Sequence, residues 1–176
     1  MSKTLTADEI GAGIGSLAEQ VRGAYPERDF VLVGIRSRGD EVAERMREHL
    51  VAQGVVVPMG VLDISLYRDD LAHLNASPKL QGSDLPFSVD GAHIVLVDDV
   101  LFTGRTIRAA IDALMDYGRP ARIDLAVLID RGHRELPFAP TFVGHVLETE
   151  RYDYVDVKLR ETDGEDGVQV TENGAV

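Results

Sequence analysis

Two adjacent acids, Asp98 and Asp99, follow the apolar run Ile94-Val-Leu-Val97, and Val100-Leu-Phe-Thr-Gly-Arg-Thr106 comes after them. A continuous apolar run suits a strand buried on both faces, and open α/β sheets bind ligands outside the carboxyl ends of their strands. The spacing predicts a strand over His93–Val97, a turn over Asp98–Gly104 and a helix over Arg105–Tyr117, with Ile107, Ala110, Ile111 and Leu114 inward. A helix opening at that turn offers N–H groups without partners and a dipole that favours an anion. Gly104 lets the backbone approach such an anion, and the Thr103 and Thr106 hydroxyls can donate to it. Ionised carboxylates only accept hydrogen bonds, which suits sugar hydroxyls. One turn of this composition could grip both halves of a ribose 5-phosphate. An aspartyl nucleophile and a metal cage are alternatives, each needing further acids from other strand ends; a solvated turn is a third. No G-x-x-x-x-G-K-[ST] loop is present.

The elements that must position this turn are legible as periodicity. Residues 8–22 read as an amphipathic helix through Ile10, Ile14, Leu17, Ala18 and Val21, with Gly23 as a stop. Its Gly11-Ala-Gly13-Ile-Gly15 lacks a preceding strand and the right spacing for a dinucleotide fingerprint, and reads as a glycine-softened surface helix. Phe30–Ile35 predicts a buried strand, Arg36-Ser-Arg-Gly39 a loop, and Val42, Ala43, Met46 and Leu50 a helix closed by Gly54. Val55–Ile64 predicts a second strand, interrupted at Pro58, which completes a right-handed βαβ unit. The polar tract 65–92 is longer than an ordinary connection and reads as a lid, with a β-hairpin as one form for part of it and a plain surface excursion as the alternative. Ile123–Ile129 and Phe142–Val146 predict further strands, Tyr154–Leu159 an alternating edge strand, and Val168–Val170 its hairpin partner beyond the turn signals Asp163-Gly164 and Asp166-Gly167.

Composition sets the outer bounds. The chain has 176 residues, 44% hydrophobic and 27% charged, as expected of one globular domain without a membrane span. Met1–Glu9 lacks the apolar core of a secretory signal, and cysteine is absent, which excludes disulfides, thiolate metal sites and a cysteine nucleophile and fits a cytoplasmic location. The five histidines form no ligand pattern, and His133 reads as a turn or site-wall residue. With 18 basic against 30 acidic residues the net charge is −12, so any nucleic-acid role needs a local basic patch.

The segment Val95–Ile107 resembles the 13-residue phosphoribosyl pyrophosphate motif of type I phosphoribosyltransferases. Four stretches narrow the resemblance: Gly34-Ile-Arg-Ser-Arg-Gly39, Leu62–Leu71, Val97–Thr106 and Leu128–Pro137, in that order. Together they resemble the bifunctional pyrimidine-operon attenuator protein/uracil phosphoribosyltransferase family, over about Phe30–Val168. The resemblance implies an α/β fold of the type I phosphoribosyltransferase kind: one domain over 1–176, a mostly parallel sheet flanked by helices, a flexible lid at about 67–92 and a small hood at about 141–170. The implied reaction joins uracil to phosphoribosyl pyrophosphate, giving UMP and pyrophosphate, with Mg2+ arriving on the substrate and no dedicated metal ligands.

On that resemblance Asp98 and Asp99 hold the ribose 2′- and 3′-hydroxyls, and Val100, Leu101, Phe102, Thr103, Gly104, Arg105 and Thr106 cradle the 5-phosphate. Ser37 and Arg38 bind pyrophosphate, Arg131 and the backbone near Val155 line the base side, and Arg68 belongs to the lid. For Arg36 and Arg38 a solvated basic loop is the alternative. Catalysis would rest on Asp98, Asp99 and Arg38, through positioning and charge stabilisation rather than a covalent nucleophile. The resemblance also implies a homodimer or homotetramer, and regulatory members bind an operon leader RNA through a basic face. Here Gly11–Arg22 carries one arginine beside Glu19, which counts against such a face; an RNA-binding regulator with vestigial catalysis and a purine-base transferase stand as the alternatives. Two departures are visible: Phe102 replaces a usual tyrosine, and Gly144-His-Val-Leu-Glu-Thr-Glu150 replaces a usual Gly-Lys-Asn-x-Pro-Thr-Ser. Residues 148–166 hold eight acids against three basic groups, so that end is no anion site.

Overall fold

A computed structural model describes residues 4–69 and 82–173. In chain order the elements are β1 (Thr4–Leu5), α1 (Ala7–Ala24), β2 (Val31–Ile35), α2 (Gly39–Ala52), β3 (Met59–Leu62), β4 (His93–Leu101), α3 (Arg105–Met115), β5 (Arg122–Asp130), β6 (Phe142–Val146), β7 (Tyr154–Lys158), α4 (Arg160–Asp163) and β8 (Gly167–Thr171). The apolar runs β2, β4 and β5 form the middle of a five-stranded parallel sheet in the order β3-β2-β4-β5-β6.

Alternation along these strands feeds two cores. Leu32, Val95, Val97, Ala126 and Leu128 face α1 and α2, where Ile10, Ile14, Leu17, Val21, Val42, Met46 and Leu50 are buried. Val33, Ile35, Ile94, Leu96, Leu125 and Val127 face the other way, onto Ile107, Ala110 and Leu114 of α3. Strands covered on both faces need apolar residues at every position, which is why their sequences run unbroken. α1 starts at a capping box: Thr6 Oγ1 accepts from the Glu9 amide at 3.3 Å, and Glu9 Oε2 accepts from the Thr6 amide at 2.7 Å.

Several expectations shift. β4 runs four residues beyond Val97, because Val100 and Leu101 pair with Ile129 and Asp130 of β5; Asp98 and Asp99 therefore lie in a strand and not in a turn. β3 keeps only Met59–Leu62, since Pro58 has no N–H to donate and Val56 is 92% exposed. Phe142–Val146, grouped with the hood on sequence, pairs with β5 and closes the main sheet instead. The hood is a separate antiparallel sheet, β1-β8-β7, with β7 and β8 the expected hairpin and the N-terminal β1 an unexpected third strand. Most of the lid expectation falls on 70–81, outside the described residues. On the described side, Asp84 exchanges both backbone hydrogen bonds with Val61 at 2.8 Å, and Asp63 Oδ2 accepts from the Gly82 amide at 3.0 Å, so the tract returns along β3.

The first turn of α2 crosses the end of β2 so closely that a Cβ on Gly34 would lie 2.4 Å from Asp40 Cα. Gly34→Ala is expected to destabilise the fold by about 1–3 kcal/mol, the usual penalty for overpacking against backbone, read as a lowered denaturation midpoint with an unchanged m-value.

Candidate active site

The carboxyl ends of β2, β4 and β5 meet at one rim, and the acid pair stands at its centre. Asp98 is only 4% exposed. Its Oδ1 accepts from the Asp99 amide at 2.9 Å, and Asp99 Oδ1 accepts from the Val100 amide at 2.8 Å. Burial pushes the Asp98 carboxyl well above the ordinary range, and the neighbouring Asp99 charge adds to the shift. Burial also raises Asp99, but there hydrogen bonds from Asp98 and the Val100 amide, and the Arg38 charge, oppose it. Asp99 is thus the more readily ionised member.

Beyond the strand the chain turns at Gly104, whose φ of 93° is a left-handed conformation that favours glycine. No side chain caps α3, so its N-terminus presents unpaired amides; Thr103 Oγ1 takes one of them, from Arg105, at 3.3 Å. The loop after β5 props this turn from behind. The Thr103 carbonyl accepts from the amides of Glu135 and Leu136 at 2.9 and 3.0 Å. Arg134 donates to the Phe102 carbonyl at 3.0 Å, to the Phe138 carbonyl at 2.9 Å and to Asp130 Oδ1 at 2.7 Å. A cavity of about 260 Å³ opens in front, lined by Arg68, Asp69 and the backbone and side chains of 100–107. Arg105 bridges it, bound to Asp69 at 2.7 Å and near Glu135 at 3.6 Å.

On the β2 side, Ser37 and Arg38 form the loop into α2, with Arg38 at φ 72°. Gly39 permits the loop's approach to the acids: a Cβ there would lie 2.6 Å from the Val97 carbonyl and 3.2 Å from Asp98 Oδ1. The Arg38 guanidinium makes a two-pronged contact with Asp163 of the hood, at 3.2 and 2.9 Å.

On the far side, Arg131 is 6% exposed, with its guanidinium carbon 4.1 Å from the centroid of the Phe102 ring. Burial lowers its pKa. It donates to the Glu150 carbonyl at 3.1 Å, while its own carbonyl accepts from Thr149 Oγ1 at 3.1 Å. A His133 ring nitrogen lies 2.6 Å from the Thr149 carbonyl. The unusual Gly144–Glu150 stretch therefore wraps Arg131 and His133 largely through backbone carbonyls, which any residue supplies. Val155 on β7 is half-buried and packs, like Val100, against the core shared with α1 and α2, but it is not among the residues lining this cavity.

The structure gathers Val100–Thr106 and Arg68 around one cavity and sets Asp98 and Asp99 at the strand end that leads into it. Ser37, Arg38, Arg131 and Val155 stand on neighbouring elements outside that cavity's lining. Sequence reasoning missed Arg134, the pairing of the lid residue Asp69 with Arg105, and Asp163. The first two sit in stretches with no periodicity to place them. The third sat inside an Asp-Gly pair that signalled a turn but not a partner for Arg38.

This arrangement of a parallel sheet, an acid pair at a central strand end and an anion-ready helix start defines a class. A family model for the phosphoribosyl transferase domain matches residues 2–162. The hypoxanthine phosphoribosyl transferase of Trypanosoma cruzi superimposes with a TM-score of 0.73 at 22% identity, covering 97% of this chain and 91% of that one. The Staphylococcus aureus hypoxanthine phosphoribosyltransferase gives 0.71 at 18% identity, covering 96% and 91%. Nearer in sequence, the bifunctional protein PyrR of Chloroflexus aurantiacus is 51% identical over 97% of this chain and 95% of its own length. That of Akkermansia muciniphila is 48% identical over 92% and 90%. The chain belongs to the bifunctional PyrR family of phosphoribosyltransferases.

The raised Asp98 carboxyl predicts a stability effect of definite sign. A folded-state pKa above the unfolded value near 3.8 contributes stability only below that value and loses it as pH rises through the folded one. Asp98→Asn is therefore expected to raise Tm at pH 7 by roughly 2–4 °C, the shift that about 1 kcal/mol produces in a domain of this size. The gain should shrink toward zero below pH 4, measured by thermal melts across pH.

Proposed function

We propose that the protein is a uracil phosphoribosyltransferase, converting uracil and phosphoribosyl pyrophosphate into UMP and pyrophosphate. The observation that carries the sugar half is the acid pair at the end of β4 directly ahead of the uncapped start of α3. In this reading Asp99 and Asp98 accept from the ribose hydroxyls, Asp99 as the stronger acceptor because Arg38 favours its charged form. The amides and hydroxyls of Val100–Thr106 bind the 5-phosphate, with Gly104 allowing the close approach. Ser37 and Arg38 take the pyrophosphate, whose developing charge Arg38 stabilises as the C1–O bond breaks. Uracil attacks C1 through a ring nitrogen as that bond breaks, and the nitrogen's proton passes to the departing pyrophosphate. Arg131, stacked on Phe102, and the backbone near Val155 form the base side, and Arg68, at the cavity, helps to exclude water.

Two adjacent carboxylates are a hard oxygen donor set of the kind Mg2+ accepts. Bound with the substrate and held largely by its oxygens and by water, the ion would neutralise charge on the pyrophosphate.

The uracil preference is supported by the relatives' family and not by a base contact. A nucleobase panel assayed with phosphoribosyl pyrophosphate and Mg2+ tests it directly: UMP formation from uracil, with hypoxanthine and guanine inert, is the expected result. A purine preference would reassign the base side. Asp99→Asn is expected to reduce turnover at least 100-fold while the melting profile stays cooperative.

Regulation through a pyrimidine-operon leader RNA is the second reading, favoured by the word bifunctional in the relatives' names. In α1, Arg22 is bound to Gln53, which in turn holds Glu19, so this stretch adds little net positive field. A leader-RNA gel shift that tightens with UMP and weakens steeply with salt would establish it. A homodimer or homotetramer is the assembly the family resemblance suggests, and sedimentation would size it.

A further inference from the structure

We infer that Asp163, in the hood, is a positioning residue for Arg38 and sets the affinity for the diphosphate of the phosphoribosyl donor. The inference rests on the reading of Arg38 as a pyrophosphate ligand and goes beyond it, since it places part of donor recognition in a separate sheet.

The contact is a fork. Arg38 Nε donates to Asp163 Oδ2 at 3.2 Å and a terminal nitrogen to Oδ1 at 2.9 Å, which fixes the guanidinium plane and leaves the second terminal nitrogen outside the pair. Both side chains are largely shielded, at 30% and 19% exposure. Gly39, the next residue, lies against Asp98, so the loop that carries this guanidinium borders the acid pair.

Asp163 is itself held in place. Its Oδ2 accepts from the Leu159 amide at 2.8 Å, closing the short α4 on itself. The hood is then tied to α2 at three further points, two from α4 and one from Asp166 just beyond it. Thr162 donates to Glu41, and Arg45 donates to Glu161 at 2.7 and 2.6 Å and to Asp166 at 2.9 and 2.7 Å. Arg45 is 7% exposed, and its four charged bonds make the dock firm. A carboxylate anchored this well does more than balance charge. It holds one edge of Arg38 so that the other meets the donor without first losing side-chain freedom, which is how a fixed neighbour raises affinity.

Phosphoribosyl pyrophosphate titrations of the full-length protein by calorimetry, with KM measured for donor and base separately, test this. Asp163→Ala should raise the donor's Kd and KM roughly 10-fold and leave the base KM within about twofold, with Asp163→Asn intermediate because its amide oxygen retains one arm of the fork. Glu161→Gln removes one charged partner of Arg45 but leaves Asp163 held by the Leu159 amide and α4 held through Asp166, so it should lower Tm and leave donor affinity within about twofold. Unchanged donor affinity in Asp163→Ala would overturn the inference. So would tighter donor binding, which would make the carboxylate a competitor, or a parallel loss for both substrates matched by Glu161→Gln. Arg38→Ala separates the two levels. If it too leaves donor affinity unchanged, the pyrophosphate role of Arg38 fails; if it weakens binding while Asp163→Ala does not, only the role of Asp163 fails.

Discussion

The placing of two adjacent carboxylates, one buried and one half-buried, at the end of a central strand is the constraint on which the rest depends. Such a pair is unfavourable for folding, and Asp98 with Asp99 gains two local amide hydrogen bonds, a contact between the two carboxyls and the charge of Arg38 in return. The fold holds the pair there because β4 is gripped on both sides, by β2 and β5, and covered on both faces by helices. Gly39 brings the loop before α2 to within contact of Asp98, and Gly104 turns the chain immediately beyond. A stable core is thus used to keep an acid pair at a rim where its own electrostatics would not place it.

Three separate elements converge on that rim, and each is supported from behind. Arg134 and the Glu135 and Leu136 amides brace the 102–104 turn. Thr149 and the Glu150 carbonyl brace Arg131 against Phe102. The hood braces Arg38. The chemistry assigned to the site asks for little beyond such positioning: hydroxyl acceptors, anion donors and a fixed cation, with water excluded during transfer.

The central strands and the three long helices were legible because both kinds of element bury apolar residues at a fixed period. The acid pair was legible as chemistry for the opposite reason: two charges interrupting an apolar run have no packing explanation. The same interruption hid the true end of β4, since Val100 and Leu101 continue the strand past residues that look like a turn. β6 and the hood were harder to apportion. Phe142–Val146 and Tyr154–Lys158 are equally short, and only pairing partners, which local pattern does not carry, assign one to each sheet. β1 has two residues, too few for any periodicity. The role of Gly144–Glu150 was obscured for a different reason: its departures from the family change side chains, while its contacts to Arg131 and His133 are made mainly by backbone.

The most direct measurement of the account is a crystal structure of the protein with phosphoribosyl pyrophosphate and Mg2+ bound. The account predicts ribose hydroxyls on Asp98 and Asp99, the 5-phosphate against the amides at the start of α3, and pyrophosphate beside Arg38. Donor density elsewhere, with the end of β4 in contact with water alone, would contradict it.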